Sequence, residues 1–163
     1  MKKILVISVL AFLLINCKKT GNSITQECTY DSCAIKAPAS EIQNVQNYLS
    51  TNSISAIQHC SGLFYSVEIP GSGTTPLACS NVTVKYVGKL TNGTVFDQTP
   101  GTNVASFYLS RVIRGWTNGV PLLKQGGRIH LYIPPSLGYG NQSNGTIPAN
   151  SILIFDVDLV TVY

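Results

Sequence analysis

The segment Val112-Ile113-Arg114-Gly115-Trp116 holds the residues best suited to binding something apolar. Trp116 is the only tryptophan of the chain, and Gly115 beside it has no side chain to keep a ligand away. A large rigid indole can form a platform for a ligand, yet a single tryptophan is as often an ordinary core residue. These residues alone therefore predict, with equal weight, the floor of a pocket or a part of the core.

Other kinds of chemistry are not indicated. The chain has no nucleophile elbow, no phosphate loop and no carboxylate pair that suggests an acid and a base. Asp156 and Asp158 alternate with Phe155 along a predicted strand, so we expect both to be solvated rather than to form a metal pair. His130 lies between Ile129 and Leu131 and should also be solvated on the face opposite to theirs.

Four cysteines, Cys28, Cys33, Cys60 and Cys79, follow Cys17. Four cysteines allow three pairings, of which we favour Cys28 with Cys33 and Cys60 with Cys79, as disulfides of an oxidising compartment. A metal site that uses His59 and these thiols is the alternative, but Cys-x-x-Cys and His-x-x-x-His spacings are absent. We therefore predict neither a metal nor a cofactor.

Residues 1–16 have the form of an export signal. Lys2-Lys3 precedes an apolar run from Ile4 to Ile15, which is shorter than the ~20 residues that a spanning helix needs. Leu14-Ile15-Asn16-Cys17 resembles the lipobox of bacterial lipoproteins, which implies lipidation of Cys17 and a membrane anchor facing the periplasm. The alternatives are an ordinary secretory signal or an uncleaved anchor, and all three predict export.

Composition excludes several classes of protein. The chain has 14 glycines, 8 prolines and 8 tyrosines, and 11% of its residues are charged. This composition is typical of a turn-rich β protein rather than a disordered or coiled-coil one. Lys2 and Lys3 supply half of the net charge of +4. The remaining positive charge is too small and scattered to predict a nucleic-acid partner.

The elements that must position these residues follow in order. Residues 17–39 are polar and predict a tether, and residues 40–60 a helical extension. Ser40 and Gln43 form a capping box, and Ile42, Val45 and Leu49 recur at helical spacing, which predicts a helix from Ser40 to about Ser50. We expect the helix to pack on the following domain, the alternative being a partner or dimerisation helix.

Residues 61–163 form the predicted main domain. Five strand-like runs cover 63–69, 81–87 continued by 94–97 after the tight turn Asn92-Gly93, 107–109, 128–133 and 151–162. Pro121 limits the helix after Trp116 to a short or irregular one. The pattern predicts an α+β fold, in which a five-stranded antiparallel sheet wraps around a short helix.

Seven strings of this domain carry a family resemblance that covers Gly62 to Tyr163. They are Val84-Lys85-Tyr86-Val87-Gly88, Gly93-Thr94-Val95-Phe96-Asp97, Val112-Ile113-Arg114-Gly115-Trp116, Gly126-Gly127-Arg128, Ile133-Pro134-Pro135-Ser136-Leu137-Gly138-Tyr139-Gly140, Ile147-Pro148-Ala149-Asn150 and Leu153-Ile154-Phe155-Asp156-Val157. Their order resembles that of FKBP-type peptidyl-prolyl isomerases.

The resemblance implies a set of site residues. Trp116 would be the floor of an apolar pocket for a proline ring, with walls from Tyr86, Phe96, Val112, Ile113 and Phe155. Tyr139 would offer its hydroxyl to a substrate carbonyl, and Ile147 would form a lip. Asp97 would orient or polarise the mouth of the pocket, or alternatively make a structural hydrogen bond to a neighbouring strand.

Three features depart from the family pattern: Ala105 at a position that is often aromatic, Ser110 in place of a glycine, and a short polar loop from Asn141 to Thr146. They bear on the tightness and sequence preference of binding.

The resemblance implies a prolyl isomerase that assists the folding of exported proteins, with proline-containing polypeptides as clients and macrolides as inhibitors. The alternatives are a proline-binding or holdase module with little turnover, and a surface lipoprotein that acts on host proteins.

Overall fold

The computed structural model describes residues 28–163. The predicted signal peptide, Cys17 and the first part of the predicted tether lie outside these residues. None of the helices in the described part is both long and apolar enough to cross a membrane.

The domain is an antiparallel sheet with helices against both of its faces. The helices are α1 (Ala39–Thr51) and α2 (Arg114–Gly119), and the strands are β1 (Ile57–Gln58), β2 (Phe64–Ile69), β3 (Asn81–Leu90), β4 (Val95–Gln98), β5 (Ala105–Tyr108), β6 (Arg128–Ile133) and β7 (Leu153–Val162). Strand order is β1-β2-β6-β7-β3-β4, and β5 pairs with β3 beside β4. Three 3-10 turns cover Leu109–Arg111, Val120–Leu122 and Pro135–Leu137.

The α+β prediction is confirmed, but the strand count was wrong. The described residues form seven strands rather than five. β1 has two residues, and β4 and β5 have four each. The prediction counted 81–87 and 94–97, which correspond to β3 and β4, as one run across the Asn92-Gly93 turn. It missed β1, which lies in the predicted helical extension and is too short to show an alternation of apolar and polar residues.

The inner face of the sheet wraps around α2. Gly115 is needed for this approach, because a Cβ at that position would lie 2.5 Å from the Ile133 side chain of β6. Trp116 and Val120 are buried in the same core as Leu131 and Phe155 of the sheet. The close contact between α2 and β6 therefore sets the distance between the Trp116 indole and the sheet.

The outer face of the sheet is partly covered by α1. Val45 and Leu49 of this helix are buried against Phe64 of β2 and Tyr132 of β6. Neighbouring residues Leu63 and Phe64 are both buried because they face the two opposite cores.

The predicted capping box is not formed. The helix begins at Ala39 after Pro38, and no side chain caps its first turn. The fixed φ of proline suits the start of a helix, but the proline side chain accepts no hydrogen bond from the first-turn N–H groups. Glu41 instead accepts a hydrogen bond of 2.8 Å from the backbone N–H of Ser136.

Residues 28–38 do not behave as the predicted tether. Disulfides join Cys28 to Cys79 and Cys33 to Cys60, so all four cysteines are paired but in neither of the favoured combinations. The N–H of Ala37, which is buried, donates to the carbonyl of Ser61 at 2.8 Å. The segment packs back against the domain, so Cys28 and Cys33 each pair with a distant cysteine rather than with each other.

The uncovered part of the outer face carries a charged cluster instead of solvated side chains. His130 is 29% exposed, and its Nδ1 and Nε2 lie 2.6 Å from Asp156 and 3.1 Å from Glu68. Asp156 is 23% exposed and also accepts from Lys89 at 2.7 Å. Asp158 pairs with Arg128 at 3.2 Å. These side chains lie on the outer face as predicted, but they are only partly solvated because the register of β6 and β7 places Arg128 opposite Asp158 and His130 opposite Asp156.

Candidate active site

One cavity of about 650 Å³ gathers all nine residues that the resemblance implies. They are Tyr86, Phe96, Asp97, Val112, Ile113, Trp116, Tyr139, Ile147 and Phe155. These residues come from β3, β4, the segment before α2, α2 itself, two stretches of the long β6–β7 connection, and β7. A volume of this size is within the range of small-ligand pockets and leaves room for more than a proline ring.

Trp116 forms the floor of the cavity and is only 4% exposed. The rings of Tyr86, Phe107 and Phe155 meet the indole edge-on, with centroids 5.2, 5.6 and 5.3 Å away and interplanar angles of 87°, 79° and 86°. Edge-to-face packing at these distances is a favourable arrangement of aromatic rings. The floor and walls therefore form a closely packed aromatic box.

A strand irregularity lets Phe96 and Asp97 line the same cavity. Consecutive residues of a regular strand point to opposite faces. The β3–β4 register pairs Gly88 with Asp97 but Lys89 with Val95, so Phe96 is an extra residue opposite β3. A bulge of this kind re-aims a side chain, and here it turns an aromatic wall and a carboxylate towards one site.

Tyr86 and Asp97 are joined by a hydrogen bond. The Tyr86 hydroxyl donates to Oδ2 of Asp97 at 2.6 Å. Burial raises the pKa of Tyr86, and the bond to Asp97 raises it further. Tyr86 consequently remains a protonated donor at physiological pH, and one oxygen of the exposed Asp97 carboxylate is occupied.

The rim of the cavity is formed by the connection between β6 and β7. Tyr139 follows the 3-10 turn Pro135–Leu137 and is 38% exposed. Asn144 and Ile147 exchange two backbone hydrogen bonds of 2.9 Å, which closes the predicted polar loop into a tight turn. Ile147 is 5% exposed and packs into the core, so this lip is anchored.

Five further lining residues were not predicted: Phe107, Arg111, Asn144, Gly145 and Thr146. Phe107 shares a strand face with Ala105, whose Cα partner is Val84. The alternation of apolar and polar residues along this short strand was the sequence signal that could have indicated Phe107. In the structure Phe107 lies opposite Val82, a buried core residue of β3. The aromatic missing at Ala105 leaves Phe107 as the aromatic side chain that β5 contributes to the box.

A possible metal-binding group lies away from this cavity. Cys33, His59 and Cys60 have ligand atoms within 4.8 Å of one another. The two sulfurs are joined in a disulfide, which cannot supply the thiolates that a zinc site of this composition would need. In the part of the chain that the structure describes, the lining of the cavity contains neither cysteine nor histidine.

Comparison with known proteins identifies relatives of this chain. Residues 73–160 match the sequence model of the family described as FKBP-type peptidyl-prolyl cis-trans isomerase. A probable FKBP-type peptidyl-prolyl cis-trans isomerase of Haemophilus influenzae is 48% identical over 104 residues, which are 63% of this chain and 43% of that protein. FkpA of Aeromonas hydrophila is 45% identical over 103 residues, 63% of this chain and 38% of that protein. The chain thus spans about two fifths of the length of these curated relatives.

Solved structures agree with the sequence matches. The crystal structure of FkpA from Escherichia coli superposes with a TM-score of 0.69 at 37% identity, covering 76% of this chain and 60% of that one. A peptidyl-prolyl cis-trans isomerase of Pseudomonas syringae gives 0.66 at 29% identity, covering 78% of this chain and 97% of that one. The chain belongs to the FKBP-type peptidyl-prolyl cis-trans isomerase family.

Proposed function

We propose that the protein is a peptidyl-prolyl cis-trans isomerase that accelerates rotation about X-Pro bonds of polypeptide clients. The observation that carries this proposal is the box of three aromatic rings set edge-on around Trp116. A proline ring is compact and apolar, and such a box can hold it with little loss of conformational freedom. Family membership supports the same reaction.

The catalysis needs no bond to break. Resonance between nitrogen and carbonyl gives the peptide bond partial double-bond character and a rotation barrier of ~18–20 kcal/mol. The planar amide is polar, whereas the twisted amide has lost this resonance and its charge separation. Moving the X-Pro amide from water to the apolar wall of Phe96, Trp116 and Phe155 therefore favours the twisted form. Each ~1.4 kcal/mol of this preference accelerates rotation tenfold.

The polar groups of the cavity orient the amide. Tyr139 stands at the rim, where its hydroxyl can donate to the carbonyl of the residue before proline. Asp97 holds Tyr86 in place and presents negative charge at the mouth. Neither residue has to gain or lose a proton during rotation, so we assign them orientation and polarisation, not acid–base catalysis.

The proposal is tested by the cis-to-trans rate of short X-Pro peptides with the full chain in mild detergent, with and without rapamycin. We expect acceleration that the macrolide abolishes. A folded protein that binds the macrolide but leaves the rate unchanged would instead be a proline-binding or holdase module. A folded protein with neither property would contradict the proposed isomerase and would mean that Ala105, Ser110 or the short loop from Asn141 to Thr146 has disabled the site.

We further propose that residues 1–16 direct export and that Cys17 carries a lipid which anchors the domain on the periplasmic side of a bacterial membrane. The support is the short apolar run before Cys17 and the two disulfides of the domain, which favour an oxidising compartment. Clients would then be newly exported proteins with slow X-Pro steps. Labelled palmitate should appear in the wild type and not in Cys17→Ser, and an unlabelled wild type would contradict the anchor.

A further inference from the structure

Arg111 is a charged residue at the cavity that the mechanism above does not use. It ends the 3-10 turn Leu109–Arg111 and precedes the wall residues Val112 and Ile113. Among the described residues, Asp97 and Arg111 are the two formally charged members of the lining. They carry opposite charges, and their surroundings differ.

The carboxylate of Asp97 already has a hydrogen-bond partner, whereas no acidic side chain among residues 28–163 pairs with the guanidinium of Arg111. Asp97 accepts the Tyr86 hydroxyl at 2.6 Å. Within residues 28–163, the ion pairs of the domain involve Lys89, Arg128 and His130 and leave Arg111 out. Arg111 is exposed and lines the cavity, so its guanidinium is accessible to a ligand.

Tyr108 gives this cation a defined place. The Cζ atom of Arg111 lies 5.2 Å from the centroid of the Tyr108 ring, which is 51% exposed. Stacking on an aromatic face orients a guanidinium without using its N–H donors. A stacked arginine is therefore ready to donate two parallel hydrogen bonds to a carboxylate, the ligand that matches its planar fork.

We infer that Arg111 is a specificity-determining residue that binds the carboxylate of an acidic side chain close to the X-Pro bond of a client. The preferred clients of this domain would then carry aspartate or glutamate beside the proline. This inference rests on the proposed isomerase function, which supplies the position of the proline ring over Trp116. A client with lysine at this position would be disfavoured, because the positive charge of Arg111 would repel it.

The experiment compares peptides with Glu, Gln or Lys immediately before or immediately after the X-Pro pair, using the full chain. For the wild type we expect kcat/KM to be about three- to tenfold higher for Glu than for Gln in one of the two positions. Arg111→Ala should bring the ratio to about one. Raising the ionic strength should reduce the wild-type ratio.

Three further substitutions distinguish a specific contact of Arg111 from a general effect of positive charge near the cavity. Arg114 is exposed, carries the same charge three residues along the chain and does not line the cavity. Arg114→Ala should therefore keep the preference for Glu. Tyr108→Leu should weaken the preference and Tyr108→Phe should retain it, because phenylalanine preserves the aromatic face.

Equal rates for Glu and Gln peptides in the wild type, or the same loss in Arg111→Ala and Arg114→Ala, would overturn the inference while the isomerase function stood. A wild type inactive on every peptide would count against the isomerase function. In that case, peptide affinity measured by titration decides the role of Arg111: tighter binding of the Glu peptide that Arg111→Ala abolishes supports it, and equal affinities refute it.

Discussion

The hydroxyl of Tyr30 donates a hydrogen bond of 2.7 Å to Oδ1 of Asn118, a residue 88 positions further along the chain. Asn118 is 3% exposed and lies in α2, two residues after the indole that forms the cavity floor. The N-terminal segment, which Cys28 and Cys33 fasten to the domain, is thereby tied to the helix that carries Trp116.

Tyr30→Phe should lower the free energy of unfolding by ~1–3 kcal/mol, because it leaves the buried amide oxygen of Asn118 without its donor. Urea titration of the two proteins measures the difference. Tyr163→Phe is a suitable control, since Tyr163 is 73% exposed and should tolerate the change. Equal stability of Tyr30→Phe and the wild type would show that the bond does not contribute to holding α2.

The connectivity of the two disulfides can be determined by peptide mapping. Trypsin leaves Cys28 and Cys33 on one peptide and Cys60 and Cys79 on another, so the two peptides should be cross-linked before reduction. Further cleavage beside Asp31 and Glu68 should then release a Cys28–Cys79 pair and a Cys33–Cys60 pair. Separate tryptic peptides would contradict this connectivity.

Removal of the Cys28–Cys79 bridge should destabilise the domain by ~2–4 kcal/mol, because the bond closes a loop with a sequence separation of 51. The double variant Cys28→Ser with Cys79→Ser tests this by urea unfolding. The Cys33–Cys60 bridge has a separation of 27, and its removal should cost somewhat less. The reverse order would contradict an effect through the unfolded chain.

Loss of the hydrogen bond between Tyr86 and Asp97 should lower the isomerase activity. Tyr86→Phe and Asp97→Asn should each lower kcat/KM roughly tenfold, since either change alters a group that orients the amide. The double variant should lose less than the two single losses combined, with a coupling energy of ~1–2 kcal/mol.

Asp158→Asn removes the same charge on the outer face and should leave kcat/KM unchanged. Strictly additive losses for the variants at Tyr86 and Asp97 would contradict a functional link between the two residues. A loss of the folded signal in either single variant would place that residue among those that hold the fold.

Stability at acid pH should depend on Asp156. Burial by itself would raise the pKa of this carboxyl, but the hydrogen bonds from Lys89 and His130 outweigh burial and lower it. The folded state therefore holds the proton less tightly than the unfolded chain does. The stabilisation is complete above the ordinary aspartate pKa of ~3.9 and is lost as the pH falls through the lower folded value.

Asp156→Asn should accordingly cost ~1–2 kcal/mol near neutral pH and progressively less below about pH 4. Urea unfolding of both proteins at pH 7, 5, 4 and 3 follows the difference. Asp158→Asn, with a more exposed carboxylate at 39%, should have a smaller effect. A difference for Asp156→Asn that grows towards acid pH would refute the sign of the shift.

Much of the fold and the cavity could be predicted because the signals are local. The alternation of Ile129, Leu131 and Ile133 defines a strand wherever it occurs, and Pro121 limits a helix through its own ring and missing N–H. The seven motifs keep the order of a known family, so the residues expected at the cavity could be named before any contact was known. The structure brings all nine together.

Only the tertiary structure decided which distant groups meet. The partners of Cys28 and Cys33 depend on the path of the N-terminal segment over the domain. His130 and Asp156 form a contact because β6 and β7 are adjacent with these two residues in register. Phe107 and Arg111 line the cavity because β5 folds back against β3. Strand order and register are set by the packing of the whole core, whereas alternation and turn residues act within a few positions of the chain.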